Sequence, residues 1–317
     1  MNCGRIIIRN IQNSKLNKPF SDPIRRAIKP ALKTAAWLIS IIVPVSFAVT
    51  LLQNWGALDY IANRLEQVCW LFGLRGEAAL VIVTTALMNI YSGIAVIQSI
   101  PFTVREICIM ALMGLLAHNL IVETIVQIKT GSSGLRMVCL RLAGAAAGGL
   151  FLNWILPENN TVAIHGVASV HLPFFELMQN WLTGTLWLTF KLICIVVALN
   201  ILQRILDEFG AIDALSRRIV PLLRLMGLSA NTAFLWIVAN VVGLAYGAAV
   251  LIEHRKENKI SVEDADLLNH HIALSHSLLE DTALYLAIGV GLGWITLPRI
   301  ALAIIAVWIV RWLRIKK

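Results

Sequence analysis

The heptapeptide HNLIVET at residues 118–124 returns as HSLLEDT at residues 276–282. Both copies lie in apolar surroundings, and each has a histidine, an acid five residues later and then a threonine. Upstream, residues 56–97 match residues 210–251 without a gap at 11 identical positions. Self-similarity at a nearly constant offset marks an internal duplication. The sequence therefore predicts two fused copies of one unit.

The composition indicates a membrane protein. Of the 317 residues 58% are hydrophobic and 14% are charged, and the mean hydropathy is +0.76. Several apolar segments reach the roughly 18–20 residues that a helix needs to cross a bilayer. The segments lie at about 35–53, 77–98, 104–128, 136–156, 184–206, 231–252, 267–290 and 296–313. We expect an all-α polytopic membrane protein whose main partner is the lipid bilayer.

The net charge of +9 comes largely from basic residues near the two ends of the chain. Lysines and arginines beside membrane spans mark cytoplasmic ends, so both termini are predicted to be cytoplasmic. Binding to nucleic acid is not expected, because no polar domain is present to carry it. Five scattered cysteines contain no CxxC pair, which is typical of reduced packing thiols.

The placement of lysine and arginine also predicts the relative orientation of the two copies. No lysine or arginine lies between Arg141 and Lys191, so the connection between the copies is predicted to be external. An odd number of crossings must then separate it from each terminus. Three spans per copy in inverted orientation satisfy this, with 77–98 and 231–252 as re-entrant hairpins. The alternative, four full spans per copy, would place the connection inside.

The inverted scheme divides the chain into four parts. They are a basic cytoplasmic arm (1–33), a first repeat (34–156), an external connection (157–183) and a second repeat (184–317). Each repeat also contains an amphipathic stretch, at 57–72 and 211–226. Ser261, followed by two acids, is predicted to be the N-cap of the second motif helix.

Glu123 and Asp281 are the first candidates for a functional site. An acid within a membrane helix costs about 2.5–3.5 kcal/mol on insertion scales, so it normally faces the bundle or a wet cavity. Inverted repeats would bring the two acids to one central site, where transporters of this kind hold substrates and ions. On a continuous helix Asn119 projects with Glu123, and Ser277 with Asp281, because i and i+4 share a face.

The histidines of the motif are predicted to flank this site. His118 and His276 diverge from their acids by about 140° on a helix of 3.6 residues per turn, unless the helix is broken there. Thr124 and Thr282 complete the two motifs. Polar contacts from the hairpins are expected from Asn89, Tyr91, Ser92, Asn240 and Tyr246. The polar run Asn269, His270 and His271 is expected at the wet cytoplasmic end of its helix.

Three roles for the motif remain open. The first is coupling of solute movement to H+ or Na+, since acids and histidines change charge readily when burial shifts their pKa values. The second is direct metal binding, although the spacing is no known metal signature and no metal ligand is assigned. The third is structural, with the acids bonding helix ends. No catalytic motif is present, so we expect neither an enzyme nor a resident cofactor.

Two copies of a Gly-Leu, hairpin and His-x4-acid-Thr unit resemble the nucleoside recognition (Gate) domain. That domain is similar to units in concentrative nucleoside transporters, the membrane part of ferrous-iron transporter B and the spore maturation proteins A and B. The resemblance covers about residues 30–315, as two fused units. It implies a transporter-like protein of the bacterial inner membrane with inverted repeats and hairpins. It does not imply a nucleoside substrate, and the chain has no soluble GTPase.

The duplication, the apolar composition and the two membrane acids predict a secondary-transporter-like protein. It would move a small polar or anionic solute, with a nucleoside-like compound as one candidate. The acids Glu123 and Asp281 would couple this movement to an ion. Two alternatives are a non-transporting membrane scaffold or assembly factor and a lipid-substrate flippase, which would need a lateral opening between spans. A homo-oligomer is a further candidate arrangement.

Overall fold

The computed structural model describes residues 21–158 and 173–315, and within these ranges the chain is helical with no β-strand. The first half contains α1 (Ser21–Asn54), α2 (Ala57–Trp70), α3 (Ala78–Leu87), α4 (Ile90–Ser99), α5 (Val104–Ala117), α6 (Leu120–Lys129) and α7 (Gly134–Ile155). The second half contains α8 (Phe174–Glu208), α9 (Ala211–Leu225), α10 (Ala230–Val242), α11 (Leu244–Lys256), α12 (Val262–Ser275), α13 (Glu280–Leu286) and α14 (Leu292–Ile315). The expected all-α class is confirmed, and helices α1–α7 recur in the same order as α8–α14.

The polar motif interrupts a helix in each half. Two residues separate α5 from α6, and the second of them, Asn119, has a φ of 48°. Ser277 has a φ of 52° in the break between α12 and α13. The left-handed conformation is open to asparagine at lower cost than to most residues. The N–H of Asn119 donates to Thr85 O at 3.1 Å and that of Ser277 to Ala239 O at 2.9 Å. Backbone freed by each break is thus satisfied within the protein.

Each predicted hairpin is a pair of short packed helices. Helices α3 and α4 have 10 residues each, about 15 Å at 1.5 Å per residue, which is half of the roughly 30 Å hydrocarbon core. The Asn89 side chain caps α4 by accepting from Ser92 N at 3.0 Å. The corresponding residue before α11 is Gly243, with a φ of 96° that favours glycine.

Five helical segments in the described part of the chain are long and apolar enough to cross a membrane. They are Leu32–Asn54, Val104–Lys129, Gly134–Ile155, Phe174–Glu208 and Leu292–Ile315. The predicted span 267–290 is not among them, because α12 and α13 are short and a four-residue turn separates them. Large apolar side chains such as Trp154, Leu135 and Phe175 are exposed, as lipid-facing residues of a multi-pass membrane protein would be.

Side-chain contacts join corresponding helices of the two halves. Near the end of α1, Ser46 Oγ lies 3.3 Å from Thr185 Oγ1 and accepts from Trp181 Nε1 at 3.1 Å, both near the start of α8. In the same way the first turn of α7 lies beside the last turn of α14, where Arg136 and Arg314 both pair with Asp266. Each of these helix pairs therefore meets end to start.

The N-terminal part of α12 confirms one prediction and corrects another. Ser261 caps the helix, accepting from Asp264 N at 2.9 Å. The expectation of a wet polar run is wrong, because Asn269, His270 and His271 are all buried. Asn269 Nδ2 donates to Thr130 Oγ1 and Ser132 Oγ at 2.8 Å. The turn between α6 and α7 thus covers this face of α12 and supplies the partners of the Asn269 amide nitrogen.

Candidate functional site at two broken helices

The two helix breaks face each other and bring one histidine from each half into contact. His118 follows the last residue of α5, and His276 follows the last residue of α12. Their Nε2 atoms lie 3.0 Å apart and their ring centres 4.8 Å apart. His118 is 6% exposed and His276 is 1% exposed. The polar motifs of the duplicated units therefore form one buried centre.

Glu123 closes a triangle with the two imidazoles. Its Oε1 lies 3.2 Å from the Nε2 of His118 and 3.2 Å from the Nε2 of His276. Its Oε2 pairs with Arg141 Nη1 at 2.8 Å. Glu123 is 1% exposed and Arg141 is fully buried. A carboxylate in so dry a place needs such a partner, because an unpaired buried charge is costly.

One buried arginine in each half binds the main chain at the helix break. Arg141 donates from Nε to Leu116 O at 3.1 Å and from Nη2 to His118 O at 2.6 Å. Arg299 repeats this, donating to Leu274 O at 3.2 Å and to His276 O at 2.5 Å. These carbonyls are at helix C-termini, where the main chain leaves acceptors unpaired and cations are favourable. Each arginine therefore caps the helix that ends at the site.

The symmetry is broken at the acids. Asp281 is one methylene shorter than Glu123, and among the described residues no ion pair joins it to Arg299 as Glu123 joins Arg141. Asp281 Oδ2 lies 3.7 Å from His118 Nε2. Arg299 Nη1, Asp281 Oδ2 and Tyr285 Oη are buried without hydrogen-bond partners in the described part of the chain. The second half thus contributes donors and acceptors that are free to meet a ligand.

The contacts of the histidine Nδ1 atoms assign their hydrogens. His118 Nδ1 lies 3.1 Å from Leu115 O and 3.3 Å from Gly114 O, and His276 Nδ1 lies 2.8 Å from Ile272 O. A carbonyl oxygen can only accept, so Nδ1 carries the hydrogen in both rings. In a neutral imidazole the Nε2 is then a bare acceptor. With both rings neutral, three acceptor atoms converge, and a histidine–histidine–carboxylate set of this kind could hold a cation.

The structure rearranges the predicted pairing within each motif. The expectation that Asn119 shares a face with Glu123, and Ser277 with Asp281, assumed a continuous helix. Because the chain turns through a left-handed residue at Asn119 and Ser277, these two residues act through their main-chain N–H groups. The same turns bring the rings of His118 and His276 into contact with Glu123, although they were predicted only to flank the site. The 140° divergence holds only on a continuous helix, and both motif helices are broken at this point.

The other predicted residues lie around the centre with different contacts. Thr124 Oγ1 and Thr282 Oγ1 are buried without hydrogen-bond partners among the described residues. Asn89 and Ser92 cap each other at the start of α4, which is a structural use of both. Tyr91 does reach the site, since its hydroxyl donates to Glu280 Oε1 at 2.8 Å across the two halves.

The second hairpin contains two of the predicted site residues, Asn240 and Tyr246. Asn240 lies in the last turn of α10, where its side-chain Nδ2 donates to Trp236 O at 2.9 Å and its main-chain carbonyl accepts from Leu279 N at 3.2 Å. Its contacts therefore join the hairpin to the break after His276. Tyr246 belongs to α11, and its side chain lies outside the described residues.

Sequence reasoning missed the two arginines, although a signal for them exists. Arg141 follows Glu123 by 18 residues, and Arg299 follows Asp281 by 18 residues, both inside apolar spans. A charge repeated at the offset of the histidine motif is as informative as the acids themselves. Tyr285 and Glu280 were not predictable in this way, because their counterparts in the first copy are Gln127 and Val122.

Comparison with known proteins places the chain among membrane proteins. Residues 35–134 match the family described as Gate, nucleoside recognition. Over 277 residues the chain is 30% identical to the uncharacterized membrane protein YvoD of Bacillus subtilis (strain 168), covering 86% of this chain and 89% of the relative. No solved structure matches. The Gate resemblance is confirmed for the first copy, and the likeness to two fused spore maturation units stays a prediction.

Proposed function

Because this chain belongs to the family of the membrane protein YvoD and carries a Gate domain, we propose that it is a secondary transporter and not an enzyme. It moves a small polar or anionic solute across the bacterial inner membrane and couples that movement to a cation. The cation binds at the triangle of His118, His276 and Glu123, which we name the acceptor triangle. The chain's two termini are cytoplasmic in this proposal.

The acceptor triangle is the observation that carries the proposal. Three lone-pair atoms within 3.0–3.2 Å of one another repel unless a positive charge lies between them. Two come from the first half and one from the second, so binding of a cation and the packing of the halves are linked. A purely structural role would be served by donors facing acceptors, as at Arg141. Release of the cation would loosen the contact between the halves, which is what alternating access requires.

Contacts between corresponding helices support an inverted repeat. The end of α1 lies beside the start of α8 at Ser46 and Trp181. The start of α7 lies beside the end of α14 at Asp266, which binds Arg136 and Arg314. Equivalent helices that meet end to start run in opposite directions. This agrees with the inversion inferred from lysine and arginine, and it gathers Arg136 and Arg314 at the cytoplasmic end.

The unpaired polar atoms of the second half support a small polar or anionic solute. Arg299 Nη1 is a charged donor, while Tyr285 Oη and Thr282 Oγ1 are hydroxyl groups that donate or accept. All three residues are buried, and Thr282 directly follows Asp281 in the second motif. A solute with an acidic or hydroxyl group would satisfy these atoms.

Replacing Glu123 with glutamine is expected to lower cation-coupled uptake at least tenfold. Glutamine keeps the size of the side chain but removes the charge that holds the cation. The measurement is uptake of uridine and succinate, as neutral and anionic probes, into proteoliposomes under imposed proton or metal-ion gradients, with a lumenal dye following proton flux. Glu257→Gln is the matched control, because Glu257 is exposed and lies outside the site.

Equal flux of solute and cation in wild type and Glu123→Gln would contradict coupling at this site. Wild-type proteoliposomes that pass none of the probes or cations would favour the scaffold alternative. The flippase alternative has less support. A groove of about 550 Å³ between α7 and α14 is lined by apolar side chains such as Phe151, Leu297 and Ile305, which suit acyl chains but offer a lipid headgroup no charged partner.

The inverted topology makes its own prediction. Single cysteines placed at residues 160–175 and at residues 256–259 are expected to react with a membrane-impermeant maleimide from opposite faces of the membrane. The first set would label in intact cells with a permeable outer membrane, and the second only after lysis. Labelling of both sets from one face would reject the three-span inverted arrangement and favour four spans per half.

A further inference from the structure

We infer that the acceptor triangle is a binding site for a divalent first-row transition-metal ion such as Zn²⁺ or Fe²⁺. The inference rests on the proposed cation site and names its occupant. The ligands are His118 Nε2, His276 Nε2 and Glu123 Oε1. Asp281 Oδ2 is a further carboxylate oxygen nearby, 3.7 Å from His118 Nε2, but it is not one of the three ligands.

The side lengths of the triangle match the requirements of such an ion. Ligands at about 2.0–2.1 Å from a tetrahedral Zn²⁺ lie about 3.3–3.4 Å from one another. The three sides measure 3.0, 3.2 and 3.2 Å. An ion placed at an equal distance of about 2.05 Å from all three atoms stands roughly 1 Å out of their plane, which leaves a fourth position accessible. Catalytic zinc sites keep an open position of this kind, whereas closed structural sites have four protein ligands.

The distance between the centres of the two imidazole rings bears on whether they share a metal ion or a proton. A linear hydrogen bond between the Nε2 atoms of His118 and His276 would separate the ring centres by about 5.3 Å, the bond plus one ring radius on each side. Two rings that point at a common ion about 2.05 Å away would have centres about 4.7 Å apart. The observed separation is 4.8 Å. This separation is too short for a linear hydrogen bond between the rings and fits two ligands of a common ion.

The groups behind the ligands are those that metal sites use. A metal-bound histidine usually donates its other N–H to a carbonyl or carboxylate, and a metal-bound carboxylate is itself hydrogen-bonded or paired. His118 Nδ1 and His276 Nδ1 face the carbonyls of Leu115 and Ile272. Glu123 Oε2 pairs with Arg141. All three ligands are thus oriented from behind by groups that leave their remaining lone pairs directed at the centre.

Ligand chemistry selects the class of ion. Imidazole nitrogens suit Zn²⁺, Fe²⁺ and related ions, whereas Na⁺, Mg²⁺ and Ca²⁺ prefer sites made of oxygen. Charge does not oppose a divalent ion here. The formal charges of Arg141 and Arg299 against Glu123, Asp281 and Glu280 sum to −1, a sign that attracts a cation.

The test is metal binding by the full-length protein in nanodiscs. Wild type is expected to bind one equivalent of Zn²⁺ by elemental analysis and to give the intense visible bands of tetrahedral Co²⁺. His118→Gln, His276→Gln and Glu123→Gln should each weaken Zn²⁺ binding at least tenfold. His254→Gln is the control, because His254 stacks on Phe234 at the far end of α11. The inference would be overturned if wild type showed no saturable Zn²⁺ binding, or if all three variants bound Zn²⁺ as tightly as wild type.

A second variant covers the case in which the glutamine proteins fold poorly. His118→Cys offers a thiolate at the same position, and it should bind Cd²⁺ with a new ultraviolet charge-transfer band that His254→Cys lacks. Absence of that band in folded protein would also count against the site. The uptake assay fails or succeeds separately. Proton-coupled uptake by a protein that binds no metal would keep the transporter and reject the metal, whereas stoichiometric metal without any flux would do the reverse.

Discussion

Replacement of Arg141 with methionine is expected to lower the free energy of unfolding by about 3–5 kcal/mol, the usual cost of leaving one partner of a buried ion pair uncompensated. Glu123, which is 1% exposed, would then have no cation beside Oε2. The carbonyls of Leu116 and His118 would also lose their donors at the end of α5. Thermal and denaturant unfolding of the purified protein in one detergent measures the change.

A double-mutant cycle separates the ion pair from the capping of the helix. Adding Glu123→Gln to Arg141→Met should recover about 1–3 kcal/mol of the loss, because the carboxylate no longer needs a partner. Arg136→Met on the same helix is the matched control. It should cost no more than about 1 kcal/mol, since Arg136 is half exposed and Ser132 and Arg314 still bind Asp266. Equal costs for Arg136→Met and Arg141→Met would contradict the assigned role.

Replacement of Asn119 with valine is expected to lower the free energy of unfolding by about 2 kcal/mol, because left-handed backbone brings Cβ against the following carbonyl and is worst for β-branched residues. The φ of 48° at Asn119 positions the His118 ring against His276. A valine that moved the chain out of this conformation would therefore also separate the two imidazoles. Unfolding measurements and the Co²⁺ spectrum report the two effects.

Asn119→Gly is the control for this prediction, because glycine adopts positive φ without steric cost. It should unfold within about 1 kcal/mol of the wild type and keep the Co²⁺ spectrum. Ser277→Val and Ser277→Gly, at the φ of 52° in the second half, should behave in the same way. A valine variant as stable as its glycine counterpart would show that the left-handed turn is not needed at that break.

Much of the architecture was predictable because it depends on local composition. The hairpin segments were recognised from small and polar residues within apolar stretches, and the Ser261 cap from a hydroxyl followed by acids. Burial of Asn269, His270 and His271 was not predictable. A polar run near a helix start is usually exposed, and only the packing of the α6–α7 turn over α12 supplies Thr130 and Ser132 as partners.

The sequence alone was enough to infer the duplication, the helical membrane-protein class and the exceptional acids Glu123 and Asp281. Periodicity, hydropathy and charge bias are properties of neighbouring residues, and they can be read without coordinates. Only the tertiary structure decided that His118 and His276 meet, and that Arg141 and Arg299 hold the helix ends. One left-handed residue in each half ends a helix and changes the direction of the chain, and the contact between histidines 158 residues apart depends on how the two redirected segments pack.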